Sequence, residues 1–139
     1  MDYRLELVLI PVTDVDRAKA FYTERAGFEL NVDTKVGDQM RVVQVTPPGS
    51  ACSIGFGIGL GTAPGPMAGL HLVVTDIVAA RAELARRGVD VGEVQHMESG
   101  QWQPGPEPQR SDYNSFAHFA DPDGNTWVLQ EVGHAGAGA

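Results

Sequence analysis

The sequence predicts an α+β fold made of two β-α-β-β-β modules, and three observations support this. First, segments 9–16 (LIPVTDVD) and 70–77 (LHLVVTDI) repeat the same order of strand, capping residue and helix start. Second, a glycine follows each predicted helix, and three strand-like segments come after it. Third, the glycine- and proline-rich segment 59–67 separates the two halves and is typical of a linker. The predicted modules therefore cover residues 4–58 and 68–132.

The first module begins with a predicted strand over 5–12. Thr13 or Asp14 can cap the following helix, in which apolar residues recur at helical spacing up to Tyr22 and which Gly27 ends. The three strands predicted after it cover 28–33, 40–46 and 52–58.

The second module repeats this order. A strand over 70–74 leads to a cap at Thr75-Asp76 and a helix over 77–87, which Gly88 ends. The strands predicted after it cover 89–97, 115–119 and 126–132, and the connector 97–114 is predicted to be a long loop. We treat residues 1–132 as a single domain and expect 133–139 to form a flexible tail.

The last strand follows a tight turn, DPDGN, at residues 121–125. Strand alternation then places Thr126, Val128 and Gln130 on one face, and Trp127 and Leu129 on the other. Trp127 and Leu129 are expected to face the helix as part of the core.

Composition excludes several classes of function. With 42% hydrophobic and 20% charged residues, the chain has the composition of an ordinary globular protein. A net charge of −8 argues against a nucleic-acid partner. It favours a cationic ligand, although solubility is a sufficient explanation for it. The single cysteine, Cys52, allows no intrachain disulfide and fits the cytoplasm, and no apolar run is long enough for a membrane span.

The motifs at 14–22 (DVDRAKAFY), 27–28 (GF) and 121–125 (DPDGN), in this order, resemble the vicinal oxygen chelate superfamily. That group includes glyoxalase I, extradiol dioxygenases and the fosfomycin- and bleomycin-resistance proteins. The resemblance implies two modules whose curled mixed sheets surround a concave pocket, commonly in a homodimer.

Metal-dependent members of that family place one His, Glu or Gln side chain from each of four strands on a divalent ion. By the resemblance, these positions correspond to Leu7, Gly55, Gly69 and Val128. None of them offers a ligand atom of the kind that zinc takes, so we expect no metal and no cofactor. An unconventional ion bound by His71, His96 and His118, with Glu98 near His96, is the alternative.

The same strands supply the predicted pocket. His71 is the one candidate catalytic residue, as a general acid or base, although a histidine with satisfied hydrogen bonds in the wall is the alternative. Trp102 is expected to cover the pocket or stack on a flat ligand, or else to cover an edge strand or a dimer interface. Gly55 and Gly57 would widen the cavity. The predicted ligand-binding residues are Leu7, Met40, Ser53, Gly55, His71, Trp102, Tyr113, Val128 and Gln130.

Three functions are compatible with these features. The first is metal-independent binding of a small aromatic or cationic molecule, as in bleomycin resistance. The second is a glyoxalase-like lyase or isomerase in which His71 moves a proton and Tyr113 or Gln130 orients a carbonyl substrate. The third is a lyase or dioxygenase with an unrecognised metal site.

Overall fold

The computed structural model describes residues 1–137 and divides the chain into two compact units. The first unit consists of Met1–Met67 and Asp121–Asn125, and the second of Ala68–Ala120 and the residues from Thr126 onward. Each unit contains one mixed β-sheet and one α-helix. This architecture confirms the predicted α+β fold class.

The first unit has a four-stranded sheet in the order β1-β4-β3-β2, in which β1 runs parallel to β4 and the other pairs are antiparallel. Its elements are β1 (Leu7–Leu9), α1 (Val15–Ala20), a π-helical continuation (Phe21–Arg25), β2 (Glu29–Val36), β3 (Met40–Thr46) and β4 (Ser53–Ile58). Of the two candidate caps, Thr13 and Asp14, it is Asp14 that caps α1, because its side chain accepts a hydrogen bond from the Arg17 amide at 3.0 Å.

Alternating residues of β3 and β4 form the buried face of this sheet: Val43, Val45, Ile54 and Phe56. Tyr22 packs against this face with its ring 5.7 Å from that of Phe56. Its hydroxyl donates to the buried carboxylate of Asp121 at 2.6 Å. The DPDGN turn is therefore a structural part of the first unit, although most of the surrounding sequence belongs to the second.

Gly57 on β4 is required by backbone packing. A Cβ atom at this position would lie 1.8 Å from the carbonyl oxygen of Arg41 on β3. Any side chain there would separate two paired strands, so Gly57 serves the sheet itself.

The second unit has a five-stranded sheet in the order β5-β9-β8-β6-β7, with β5 parallel to β9. Its elements are β5 (Leu70–Val74), α2 (Ile77–Arg86), β6 (Gln95–Glu98), β7 (Gln101–Pro104), β8 (Phe116–Ala120) and β9 (Thr126–Glu131). Asp76 caps α2 through the Ala79 amide at 3.1 Å. The unit thus carries one strand more than the predicted module.

The extra strand, β7, corrects the prediction of a long loop over 97–114. Ser99 and Gly100 both have positive φ (51° and 78°), as in the two-residue turn of a β-hairpin, and they connect β6 to β7. The irregular segment is therefore confined to the residues between β7 and β8.

The buried face of the second sheet packs against α2. Trp127 and Leu129 are each 2% exposed on this face, and the Trp127 ring is parallel to that of Phe119 at 6.0 Å. This confirms the predicted alternation along the last strand.

Neither helix in the described part of the chain has the length and apolar character needed to cross a bilayer. The predicted flexible tail, 133–139, lies partly outside the described residues. Within the described part, the Ala137 amide donates to the His134 carbonyl and closes a turn.

Candidate functional site

The second sheet has an open face opposite the one that packs against α2. Along β9, buried residues alternate with the partly exposed residues Val128 and Gln130. Strand pairing extends this face to the outermost strand, β7. The open face includes His71, Val73, Met97, Trp102, Phe116, His118, Thr126, Val128 and Gln130.

Val128 lies between two histidines on the open face. Its neighbour on β5 is His71, and its neighbour on β8 is His118. Adjacent strands are about 4.8 Å apart, so the three side chains form a row across the sheet. We call His71 and His118 the flanking histidines.

Gly69, the position that the resemblance implies for the first strand of this module, directly precedes β5 and has a φ of +92°. The β5 residue in register with Val128 is His71, two residues further along the chain. His71 is therefore the β5 residue that lies beside Val128 on the open face.

A hydrogen bond to Gln130 holds the ring of His71. Nδ1 of His71 lies 2.7 Å from Oε1 of Gln130. A carbonyl oxygen only accepts, so Nδ1 carries the hydrogen and Nε2 of the neutral ring keeps its lone pair. This tautomer can accept a hydrogen bond or a proton from a ligand at Nε2.

Trp102 belongs to β7 and lies opposite Met97 of β6. Its ring meets Phe116 edge to face with 5.3 Å between the centroids, yet the residue is 49% exposed. An aromatic surface therefore remains available beside the row of Val128 and the flanking histidines.

Tyr113 is in the segment between β7 and β8. It has a φ of +64°, its amide donates to the Glu131 carbonyl at 2.8 Å, and it is exposed. Strand pairing does not assign it to the open face.

In the first unit, the sheet face opposite its buried core carries the other predicted residues. Leu7 pairs with Ser53, whose hydroxyl lies 2.7 Å from that of Thr46. Met40 is on the same face at the start of β3 and is exposed. Apart from Tyr113, the structure thus divides the predicted site residues between two sheet faces, one in each unit.

Gly55 also belongs to this face of the first sheet, but the predicted widening of a cavity is wrong there. A Cβ atom on Gly55 would lie 2.9 Å from Leu9 Cδ2 and 3.2 Å from Leu7 Cδ1. The two leucines of β1 fill the space over the glycine.

The alternative ion site of His71, His96 and His118 is also wrong. His96 is buried on the face opposite His118, because the residue that pairs with Phe116 is its neighbour Gln95. The Gly105 carbonyl, 2.8 Å from Nδ1, and the Glu98 carboxylate, 3.3 Å from Nε2, raise the pKa of His96 above its usual value.

Among the described residues, a group that could place three metal-ligating atoms within 4.8 Å of one another consists of Asp76, Glu131 and His134. Glu131 is fully buried and already engaged, because its oxygens accept from Arg110 Nε at 2.7 Å, Arg110 Nη2 at 2.5 Å and the Ile77 amide at 2.9 Å. These bonds identify Glu131 as a structural carboxylate.

Burial raises the pKa of Glu131, but the Arg110 guanidinium and the Ile77 amide outweigh burial and hold it below its usual value. Sequence reasoning missed this ion pair. The only indication of this ion pair in the sequence is a glutamate at the end of an apolar strand.

Comparisons with known proteins agree with this architecture. The sequence model of the Glyoxalase/Bleomycin resistance protein/Dioxygenase superfamily matches residues 4–129. TnmS3, an antibiotic binding protein from Streptomyces sp. CB03234, is 34% identical, with a TM-score of 0.70 and coverage of 94% of this chain and 96% of that one.

Two further proteins are similar over most of their length. A glyoxalase/bleomycin resistance protein from the same Streptomyces strain is 33% identical, with a TM-score of 0.68 and coverage of 92% of this chain and 100% of that one. The uncharacterised protein YetH of Bacillus subtilis (strain 168) is 25% identical over 124 residues, or 89% of this chain and 94% of YetH. The chain belongs to the Glyoxalase/Bleomycin resistance protein/Dioxygenase superfamily.

Proposed function

We propose that this member of the superfamily binds a small organic molecule on the open face without the help of a metal ion, and that it acts by sequestration as bleomycin-resistance proteins do. The observation that carries the proposal is the Val128 side chain, which lies between two histidines on that face. The resemblance implies that metal-dependent relatives carry a ligand at this position, and an isopropyl group offers a contact surface but no donor atom.

The residues at the family's ligand positions do not fit a divalent ion. By the resemblance, these positions are Leu7, Gly55, Gly69 and Val128. None of their side chains has a nitrogen, sulfur or carboxylate ligand atom, and His71 beside Val128 offers a single imidazole. A zinc site needs three or four such donors.

The chemistry of the open face favours an aromatic ligand. Trp102 and Phe116 provide a rigid aromatic surface on which a flat molecule can stack, and Val128 provides an apolar contact. The His71–Gln130 pair can orient a ligand's hydroxyl or N–H group through Nε2. The net charge of −8 favours a cationic ligand over an anionic one.

Similarity to TnmS3, described as an antibiotic binding protein, supports ligands of that class. On this proposal the chain protects its host by holding an antibiotic. The predicted cytoplasmic location and homodimer belong to the same proposal, and light scattering after size-exclusion chromatography tests the dimer.

Fluorescence titration tests the binding site directly, because the two tryptophans differ in exposure. We expect an aromatic antibiotic to quench Trp102, which is 49% exposed, and to leave the emission of Trp127, which is 2% exposed, nearly constant. Trp102→Phe should remove the quenching while keeping an aromatic ring. Quenching that persists unchanged in this variant would place the ligand elsewhere.

Thermal shift and elemental analysis complete the test. A ligand present at about 100 times its Kd should stabilise the native state by about 2.7 kcal/mol. Purified protein should contain no stoichiometric divalent metal, and chelator treatment should leave ligand affinity unchanged. A metal at one ion per chain that is needed for binding would contradict the proposal.

A second candidate function is a glyoxalase-like lyase or isomerase, and the bond between His71 and Gln130 is the observation that favours it. That bond leaves Nε2 of His71 as a proton acceptor on the open face. NMR detection of turnover of small α-keto aldehydes or their thiol adducts tests this function. Activity should be lost in His71→Gln and kept in His118→Gln, a control on the same face.

A further inference from the structure

The first unit contains a cavity of about 360 Å³ whose walls do not include the predicted site residues. Residues 11–13 form one wall and residues 62–66 of the linker form the other. Asp123 of the DPDGN turn completes the lining. The cavity therefore brings a carboxylate close to a proline-rich segment.

The two carboxylate oxygens of Asp123 have different environments. Oδ1 accepts from the Thr13 amide at 2.9 Å, from the Thr13 hydroxyl at 2.5 Å and from Arg17 Nη2 at 3.2 Å. Oδ2 is buried and has no hydrogen-bond partner in the part of the chain that the structure describes. The Asp123 side chain as a whole is 7% exposed.

An unpaired buried carboxylate oxygen is costly, because it has lost its hydration and gained no donor in return. Its formal charge is shared with Oδ1, which already has three donors. Oδ2 therefore still lacks an N–H or O–H donor from the described part of the chain. Because Oδ2 is buried, a ligand in the cavity can supply this donor only when a wall of the cavity moves aside.

The walls define what kind of molecule can supply it. Pro11, Pro64 and Pro66 have no N–H groups and present apolar rings to the cavity. In the described structure, the backbone of residues 61–66 makes no hydrogen bond, and the first anchor after it is the Met67 amide on Asn125 Oδ1 at 2.8 Å. The linker wall can therefore move aside for a ligand without breaking a hydrogen bond.

We propose that this cavity is a binding site for a protonated aliphatic amine, whose ammonium group donates to Oδ2 of Asp123 and whose carbon chain packs against the prolines. None of its lining residues belongs to the open face of the proposed function. A single carboxylate and a nearby guanidinium are too few oxygen ligands and too much positive charge for a divalent ion. An anion would be repelled by Asp123.

NMR with three probes of equal chain length tests the charge requirement on the wild-type protein. n-Butylammonium chloride, 1-butanol and sodium butyrate are titrated at constant ionic strength, and amide shifts are followed in a ¹⁵N-labelled sample. We expect butylammonium to shift the amides of Thr13, Ala63 and Gly124 and to bind at least tenfold more tightly than butanol, with no saturable effect of butyrate. Equal responses to butylammonium and butanol, or shifts that map elsewhere, would overturn the proposal.

Two variants should move the affinity in opposite directions. Asp123→Asn should weaken butylammonium binding at least tenfold, because the amide lacks the charge. Arg17→Gln should strengthen it severalfold, because a competing cation is removed from Oδ1 while an exposed side chain of similar length remains. Unchanged or weaker binding in Arg17→Gln would contradict the proposed contact even if Asp123→Asn failed to fold.

Discussion

The ion pair between Arg110 and Glu131 offers the sharpest test of how the second unit is held together. Glu131 is fully buried, and Arg110 covers both of its oxygens. Arg110→Met keeps most of the apolar stem but removes the guanidinium. The carboxylate would then retain the Ile77 amide as its remaining partner.

The expected loss is large because a buried charge is left without its counter-ion. Removing one partner of a buried pair typically costs about 3–5 kcal/mol, and we expect a loss of that size in the free energy of unfolding at pH 7.5. The double variant Arg110→Met with Glu131→Gln should recover part of this loss, because it removes the unpaired charge. Arg86→Met removes an exposed pair with Glu83 and should leave stability nearly unchanged.

The loss should also depend on pH. In the wild type the pKa of Glu131 is lowered, so its contribution is present above the unfolded-state pKa and lost as pH falls through the folded-state pKa. Without Arg110, burial dominates and the pKa rises, so stability is instead lost as pH rises through the new folded-state pKa. The gap between wild type and variant must therefore widen from pH 5 to pH 7.5, by at most about 1.4 kcal/mol per pH unit.

Urea unfolding followed by far-UV circular dichroism at several pH values measures both effects. The reasoning is refuted if Arg110→Met costs no more than the exposed control Arg86→Met. It is also refuted if the loss is the same at pH 5 and pH 7.5.

Three further predictions concern the open face and the first unit. Val128→His should add a third imidazole between the flanking histidines and tighten zinc binding by about 100-fold, since zinc sites gain roughly 3 kcal/mol per ligand. Competition with a chromophoric chelator measures this. Gly57→Ala should destabilise the fold by about 3 kcal/mol, because the new methyl would meet a carbonyl oxygen of β3 at 1.8 Å. Tyr22→Phe should cost about 1–3 kcal/mol by leaving the buried Asp121 one donor short. Urea midpoints measure both.

Each of these predictions has a matched comparison. Val128→Leu changes the same position without adding a ligand atom. If Val128→Leu binds zinc as tightly as Val128→His does, the strand register that places Val128 between the flanking histidines is refuted. At Gly92 a Cβ atom would meet its nearest neighbour at an ordinary 3.6 Å. A cost for Gly57→Ala no greater than that of Gly92→Ala would contradict the clash. For Tyr22, an unchanged midpoint would show that the hydroxyl contributes nothing.

The parts of the fold that follow from local chemistry could be predicted from the sequence. The sequence places a helix cap at Thr13 or Asp14 and another at Thr75-Asp76, because a short acceptor before an apolar helix has few other uses. In both places the aspartate makes the capping bond. The alternation along β9 was equally clear, because Trp127 and Leu129 must face the core when Val128 does not.

The features of the fold that could not be predicted from the sequence depend on pairing between distant residues. The hairpin of β6 and β7 was read as a loop, because Ser99-Gly100 is a weaker turn signal than Asn-Gly and β7 contains a proline. The register of β5 against β9, which brings His71 beside Val128, has no local signal in the sequence, since nothing local says where a parallel strand begins. The partner of Glu131 is 21 residues away, and nothing in the sequence selects Arg110 over other arginines.

In the second unit, the buried polar groups stabilise the fold, whereas the exposed ones are available for binding. Glu131 and His96 are buried, and each is bonded to groups of the fold itself. The flanking histidines are exposed on the open face, and the one bond seen for His71 leaves its Nε2 available. Substitutions at the flanking histidines should therefore change ligand affinity with little effect on unfolding. Substitutions at Glu131 should do the reverse, so measuring affinity and stability on the same variants distinguishes a binding surface from a structural one.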